Sequence, residues 1–278
     1  MTPRLSVDFV DAGSVPATDR GLLYGDGLFE TLRIVDGRMP LWERHAARLL
    51  AGCERLRFPP PDTTRLRVEL GRLAAGLPDA VARVTVTRGG GERGYAPPPT
   101  PRPTVVVAVS PLALDARAAS EGIAVRVCDT RLAAQPLLAG LKHINRLEQV
   151  LARAEWSDPA IGEGLLRDID GDIVSATAAN LFAVFDGELV TPAVDRAGVA
   201  GVARAEVLAV RDVRVVRMNL ARLLEADEVF LTSAVRGILP IRACEGRTWQ
   251  AGPAARALQA HWRDIGLPSP MGRKDSDR

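Results

Sequence analysis

The 278 residues, 47% hydrophobic and 25% charged, have the composition of a globular protein of one or two domains, which excludes a disordered chain. Thirty-six basic and thirty-four acidic side chains leave a formal charge of +2, too even for an electrostatic nucleic-acid surface. Three scattered cysteines (Cys53, Cys128 and Cys244) lack metal-ligand spacing, and no apolar run approaches bilayer length, so the expectation is a cytoplasmic protein without metal, nucleic-acid or membrane partner.

The N-terminal part reads as strand, turn, strand and helix. Leu28–Val35 is strand-like and ends at Asp36-Gly37, a tight-hairpin signal. Leu41, Ala46, Leu49, Cys53 and Leu56 then recur at helical spacing. A second helix is predicted over 62–77, opened by Asp62 after prolines 59–61. Alternation over Val81–Thr87 predicts a half-buried strand, and the apolar run Thr104–Val109 a central one.

Residues 111–122 form the candidate linker between an N-terminal domain over 1–110 and a C-terminal domain over 123–267; the polar stretch 268–278 reads as a disordered tail. In the second half, Ile123–Val127 is a predicted strand, and Leu147, Val150, Leu151 and Ala154 mark a helical stripe. Asp170-Gly171 and Asp186-Gly187 are hairpin signals flanking Leu181–Phe185. A helix near 201–210, strands at 214–217 and 228–232 and a helix near 254–265 complete the chain. Strands and helices mix without regular alternation, the pattern of an α+β fold.

Lysine occurs twice, at Lys142 and Lys274, against thirty-four arginines. Arginine substitutes for lysine as a charge, but it keeps its proton at neutral pH and forms no Schiff base. Lys142 is therefore either a chance survivor of a composition bias or a lysine retained for its amine. The glycines at 89, 91 and 94 fit a dinucleotide fingerprint formally, yet Tyr95-Ala-Pro-Pro-Pro cannot open the helix that would receive a pyrophosphate. What remains is either a solvated hairpin loop or a loop whose Arg88, Arg93 and Tyr95 grip an anionic substrate. His45, His143 and His261 show no metal spacing, and no nucleophile elbow is present.

The run Ala139-Gly-Leu-Lys-His-Ile-Asn-Arg-Leu-Glu-Gln-Val-Leu-Ala-Arg153 resembles the signature of the aminodeoxychorismate lyases, members of the class-IV aminotransferase family. Arg20-Gly-Leu-Leu-Tyr-Gly-Asp-Gly-Leu-Phe-Glu-Thr-Leu-Arg33, Arg88–Tyr95, Ala178-Ala-Asn-Leu-Phe182 and Arg236-Gly-Ile-Leu-Pro240 follow the family pattern in order. The resemblance implies a two-domain fold-type IV enzyme with pyridoxal 5'-phosphate in the cleft between domains, a small-molecule substrate and a homodimer. It implies that Lys142 holds the cofactor as a Schiff base and then serves as general base. It assigns the cofactor phosphate to Arg48 and to backbone at Val199, Ala200, Ser233 and Ala234, and substrate contacts to Arg93, Tyr95, Thr31 and Phe29.

The implied reaction is conversion of 4-amino-4-deoxychorismate to p-aminobenzoate and pyruvate. The alternatives are a D-amino-acid or branched-chain aminotransferase of the same fold, and a cofactor-binding relic without activity. One position departs from the family: the glutamate expected five residues before Asn180, opposite the cofactor's pyridine nitrogen, is Ser175. A hydroxyl there supplies a hydrogen bond but no negative charge.

Overall fold

The computed structural model describes residues 2–11 and 13–269. They divide into two compact units, one comprising Met1–Ala113 with Leu141–Asn145 and the other Leu114–Gly140 with Arg146–Arg278. The return of the Lys142 segment to the first unit is absent from the linear division read from the sequence. Of the proposed tail, residues 270–278 lie outside the described residues.

The first unit carries β1 (Arg4–Val7), β2 (Val10–Asp11), α1 (Arg20–Tyr24), β3 (Gly27–Val35), α2 (Trp42–Leu56), α3 (Thr63–Ala74), β4 (Asp79–Thr87) and β5 (Thr104–Pro111). Its antiparallel sheet has the order β2-β1-β5-β4-β3. Alternation divides the sheet faces. Leu28, Leu32, Ile34, Ala82, Val84 and Val107 face a core that includes Leu49 and Cys53 of α2 and Leu66, Leu70 and Leu73 of α3. Asp62 opens α3 by accepting from the amides of Thr64 at 2.9 Å and Arg65 at 3.0 Å. Asp36 and Gly37 adopt positive φ as a tight turn requires, but no strand follows: only a Val35–Arg38 bridge forms before α2 begins. The turn chemistry was legible; its use to enter a helix was not.

The second unit holds α4 (Ala116–Ser120), β6 (Ile123–Leu132), α5 (Leu147–Arg153), β7 (Ile161–Asp168), β8 (Ile173–Ala176), β9 (Asn180–Phe185), β10 (Glu188–Pro192), α6 (Val202–Val210), β11 (Arg214–Val216), α7 (Leu220–Leu224), β12 (Glu228–Ser233), β13 (Gly237–Cys244), β14 (Arg247–Thr248) and α8 (Pro253–Asp264). Its mixed sheet runs β11-β10-β9-β12-β13-β6-β7-β8, with β14 on β13. The two Asp-Gly signals join β7 to β8 and β9 to β10 as antiparallel neighbours. Stacked rings of Phe182 and Phe230, 5.4 Å apart, sit at the β9–β12 pairing. Full burial of one such ring is worth about 1.5–3 kcal/mol.

Three local features add to the reading of the sequence. Residues 111–122 are not bare linker, because Asp115 caps α4 there through the Arg117 amide. The stripe Leu147, Val150 and Leu151 on α5 faces solvent, and Ala152 is that helix's buried residue. Finally, α6 starts at Val202, within the range read from the sequence and just past Val199-Ala200. No helix among the described residues is long and apolar enough to cross a membrane.

Candidate active site

In the first unit, the segment containing Lys142 lies along β3. The Phe29 amide donates to the Lys142 carbonyl at 2.9 Å, the Ile144 amide to the Gly27 carbonyl at 3.0 Å, and Asn145 Nδ2 to the Gly25 carbonyl at 3.0 Å. Gly25 allows this approach: its φ is +68°, and a Cβ there would stand 2.1 Å from Asn145 Oδ1. Backbone pairing thus fixes where the Lys142 side chain starts. Its Nζ rests 4.2 Å from the centroid of the buried Phe29 ring.

The same ring carries a second cation. Arg83 on β4 places its guanidinium carbon 4.0 Å from the Phe29 centroid, and the ladder sets Arg83 directly opposite Thr31. Phe29, Thr31, Arg83 and Lys142 therefore form one group. Arg83 has no carboxylate partner among the described residues. Sequence reading passed over it as an outward residue of a half-buried strand; its opposition to Thr31 was the available signal.

Arg48 is held differently. Its Nε donates to Glu30 Oε1 at 2.7 Å and one terminal nitrogen to Glu30 Oε2 at 2.5 Å, while His45 Nδ1 lies 2.6 Å from the same Oε2. Glu30 and His45 are buried, and Glu30 takes the opposite face of β3 from Phe29 and Thr31. Burial alone would raise the Glu30 carboxyl, but the His45 hydrogen bond and the Arg48 charge hold it below its usual range. Burial lowers the His45 imidazole; Glu30 opposes that shift, and the charges of Arg48 and Lys142 add to it. The result is a neutral buried histidine and an ionised glutamate gripping an arginine.

Arg93 and Tyr95 lie on the loop after β4 with exposed side chains, Tyr95 at 84%. The loop backbone is nevertheless anchored. Arg20 donates to the carbonyls of Gly94, Tyr95 and Ala96 at 3.0, 2.9 and 3.2 Å, and the Tyr95 ring meets Tyr24 edge-on at 5.3 Å. Arg88 is not part of a gripping surface: it is buried, bonded to Asp26 and to the carbonyls of Leu56 and Arg57.

In the second unit, Val199 and Ala200 are already engaged. The Ala200 amide donates to the Gly140 carbonyl at 3.0 Å, and the Val199 carbonyl accepts from Asn180 Nδ2 at 2.9 Å. The first turn of α6 follows them, where Gly201 offers no side-chain cap to the amides of Val202 and Ala203. Gly201 is needed there, because a Cβ would sit 2.0 Å from Asn180 Oδ1.

Thr232 pairs with Asn180 across the β9–β12 ladder, and its buried hydroxyl has no partner among the described residues. Ser233 Oγ accepts from the Val235 and Arg236 amides, each at 3.3 Å, shaping the turn that carries Ala234. An uncapped helix start, a glycine cradle and an orphaned hydroxyl suit a phosphate group, so these residues fit the cofactor that the sequence implies.

Ser175 on β8 is 7% exposed. Glu163, on the adjacent strand β7, is the carboxylate to consider as a substitute for the missing glutamate, and it is spent elsewhere. It accepts from Thr177 Oγ1, from the Gly164 amide at 3.2 Å and from Arg236 at 2.5 Å. The three cysteines are free and buried; burial pushes the Cys53 and Cys244 thiols up to about 12 and Cys128 to about 11, too high for nucleophiles. No metal-holding cluster of histidine, cysteine or acidic residues occurs among the described residues.

The family model described as amino-transferase class IV matches residues 27–244. The aminodeoxychorismate lyase of Vibrio harveyi is 37% identical over 236 residues, covering 82% of this chain and 86% of that protein. The crystal structure of 4-amino-4-deoxychorismate lyase from Pseudomonas aeruginosa matches with a TM-score of 0.89 and 48% identity, covering 95% of this chain and 99% of that one. The T.th. branched-chain amino acid aminotransferase, complexed with N-(5'-phosphopyridoxyl)-L-glutamate, shares the fold at a TM-score of 0.83 and 21% identity, over 98% of this chain and 96% of its own.

Proposed function

The chain belongs to the class-IV aminotransferase family, and on that footing we propose that it is a pyridoxal-phosphate-dependent lyase converting 4-amino-4-deoxychorismate to p-aminobenzoate and pyruvate. The observation that carries the reading is Lys142. It is the one lysine among the described residues of an arginine-rich chain, fixed by backbone bonds along β3 with its amine over Phe29.

Lys142 would hold the cofactor covalently through Nζ. Its phosphate would meet Arg48, the first-turn amides of Val202 and Ala203, and the Ser233–Ala234 turn, with Thr232 Oγ1 as a further donor; Val199 and Ala200 would support this cup rather than line it. When bound, the cofactor supplies an electron sink for the charge left as a proton leaves the amine-bearing carbon. Lys142 Nζ would take that proton. It returns one to the methylene of the departing enolpyruvyl group, directly or through water. The ring carbon–oxygen bond breaks, the ring becomes aromatic, and pyruvate leaves.

Thr31 and Phe29 would flank the substrate. Arg83, stacked on Phe29 without an acid partner, would receive one substrate carboxylate, with Arg93 and Tyr95 supplied by the Arg20-anchored loop. Positive charge of this kind suits a dianionic substrate better than an apolar amino acid.

Ser175 favours the lyase over the aminotransferases. With a neutral hydroxyl there and Glu163 committed to Arg236, the protein would supply no negative charge opposite the cofactor's pyridine nitrogen, and aromatisation of the product would supply compensating driving force. Product analysis tests this. The lyase reading expects pyruvate and p-aminobenzoate in equal amounts and no amino transfer to 2-oxoglutarate; amino transfer from D-alanine or a branched-chain amino acid at comparable rates contradicts it. Ser175→Glu should increase amino transfer while changing lyase turnover less than tenfold, and a rise of orders of magnitude in lyase turnover contradicts the role given to the serine.

The functional unit we propose is a homodimer. Leu147, Val150 and Leu151 lie at spacings of three and four on α5, are 77%, 58% and 62% exposed, and form the kind of apolar face that a second copy would cover.

A further inference from the structure

We propose that Arg236 receives a carboxylate of the substrate and makes the site selective for dianions, an inference that rests on the lyase reading. Two buried arginines of this protein donate through more than one nitrogen. Arg33 clamps Asp79 through two nitrogens, and Arg88 commits all three of its nitrogens to Asp26 and two carbonyls. Arg236 does not. One terminal nitrogen donates to Glu163 Oε2 at 2.5 Å, while nothing among the described residues accepts from Nε or the other terminal nitrogen. The side chain is 30% exposed and Glu163 4%. A buried acid therefore holds the partly exposed guanidinium by one corner and leaves two nitrogens uncommitted, enough to receive a carboxylate side-on.

The position suits the role. Arg236 belongs to the turn shaped by Ser233, its own amide donating to Ser233 Oγ. The other oxygen of Glu163 accepts from Thr177, two residues past Ser175. The ion pair thus ties the Ser175 side of the unit to the Ser233–Ala234 turn. Glu163 is the positioning residue and Arg236 the contact residue.

Calorimetric titration of the holoenzyme with chorismate, which carries both carboxylates but a hydroxyl in place of the amine, tests this without turnover. Benzoate serves as the monocarboxylate control. Arg236→Ala should weaken chorismate binding tenfold or more and benzoate binding less than twofold, with Arg236→Lys recovering part of the loss and cofactor absorbance unchanged.

Chorismate affinity within twofold of wild type, equal losses for both ligands, or no chorismate binding by the wild type overturns the proposal. Should Arg236→Ala fail to fold, Arg236→Gln takes its place, and loss of cofactor in both variants assigns Arg236 a structural role, which overturns it too. Arg236-dependent chorismate binding by an enzyme that releases no p-aminobenzoate leaves this inference standing and removes the lyase reading.

Discussion

Arg48 is locked to Glu30 by a two-point ion pair, with Nε 2.7 Å from one carboxylate oxygen and a terminal nitrogen 2.5 Å from the other. The pair fixes the guanidinium, so its orientation is built into the fold. Removing the charge from one partner of a buried pair costs about 3 kcal/mol or more. Glu30→Gln should therefore lower the unfolding free energy by about that amount and weaken cofactor retention at least tenfold, read from dialysis followed by absorbance. Unchanged stability and retention would show that Arg48 needs no such support.

The same cluster sets an acid limit. The Glu30 carboxyl and the His45 imidazole both have folded-state values lowered from their usual 4.5 and 6.5. Depressed groups contribute stability that is fully present above the unfolded value and lost as pH falls through the folded one. Stability should hold at neutral pH, begin to fall below about 6.5 as unfolded chains take up the histidine proton, and fall further through the carboxylate range. His45→Gln should remove the first part of this decline in thermal melts between pH 7 and 5. A parallel decline in the variant would place it elsewhere.

Gly201→Ala probes the start of α6. The added Cβ would sit 2.0 Å from Asn180 Oδ1, so either the helix start or the Asn180–Val199 bond must move. We expect a destabilisation of about 1–3 kcal/mol and a cofactor that dissociates faster. Wild-type retention in the variant would remove the α6 amides from the phosphate site.

Most strands were legible in the sequence because alternation or an unbroken apolar run marks them, as in Val81–Thr87 and Thr104–Val109, which became parts of β4 and β5. Lys142 stands out from composition, and the family motifs imply its role. Less legible were features set by tertiary pairing. Nothing local says that residues 141–145 return to the first unit, since that depends on backbone bonds to Gly25, Gly27 and Phe29. Nor does spacing reveal that Ala200 has a partner in Gly140, which moves the free amides of α6 to Val202 and Ala203. The α5 stripe had helical spacing, but spacing cannot tell a core face from an exposed one.

That face supplies another prediction. Leu147→Glu with Leu151→Glu would place like charges at the centre of the proposed interface, and sedimentation should shift from dimer to monomer with each monomer still folded. A wild-type chain that sediments as a monomer contradicts the assignment.

The central claim is that Lys142 carries the chemistry of a lyase. Its direct test is p-aminobenzoate release from 4-amino-4-deoxychorismate by purified protein with added pyridoxal phosphate, beside Lys142→Ala and Lys142→Arg. The wild type should release the aromatic amine, and both variants should fall at least a thousandfold, because arginine preserves the charge but not the amine chemistry. No release from a wild type that holds the cofactor, or release that survives in Lys142→Ala, would contradict the account.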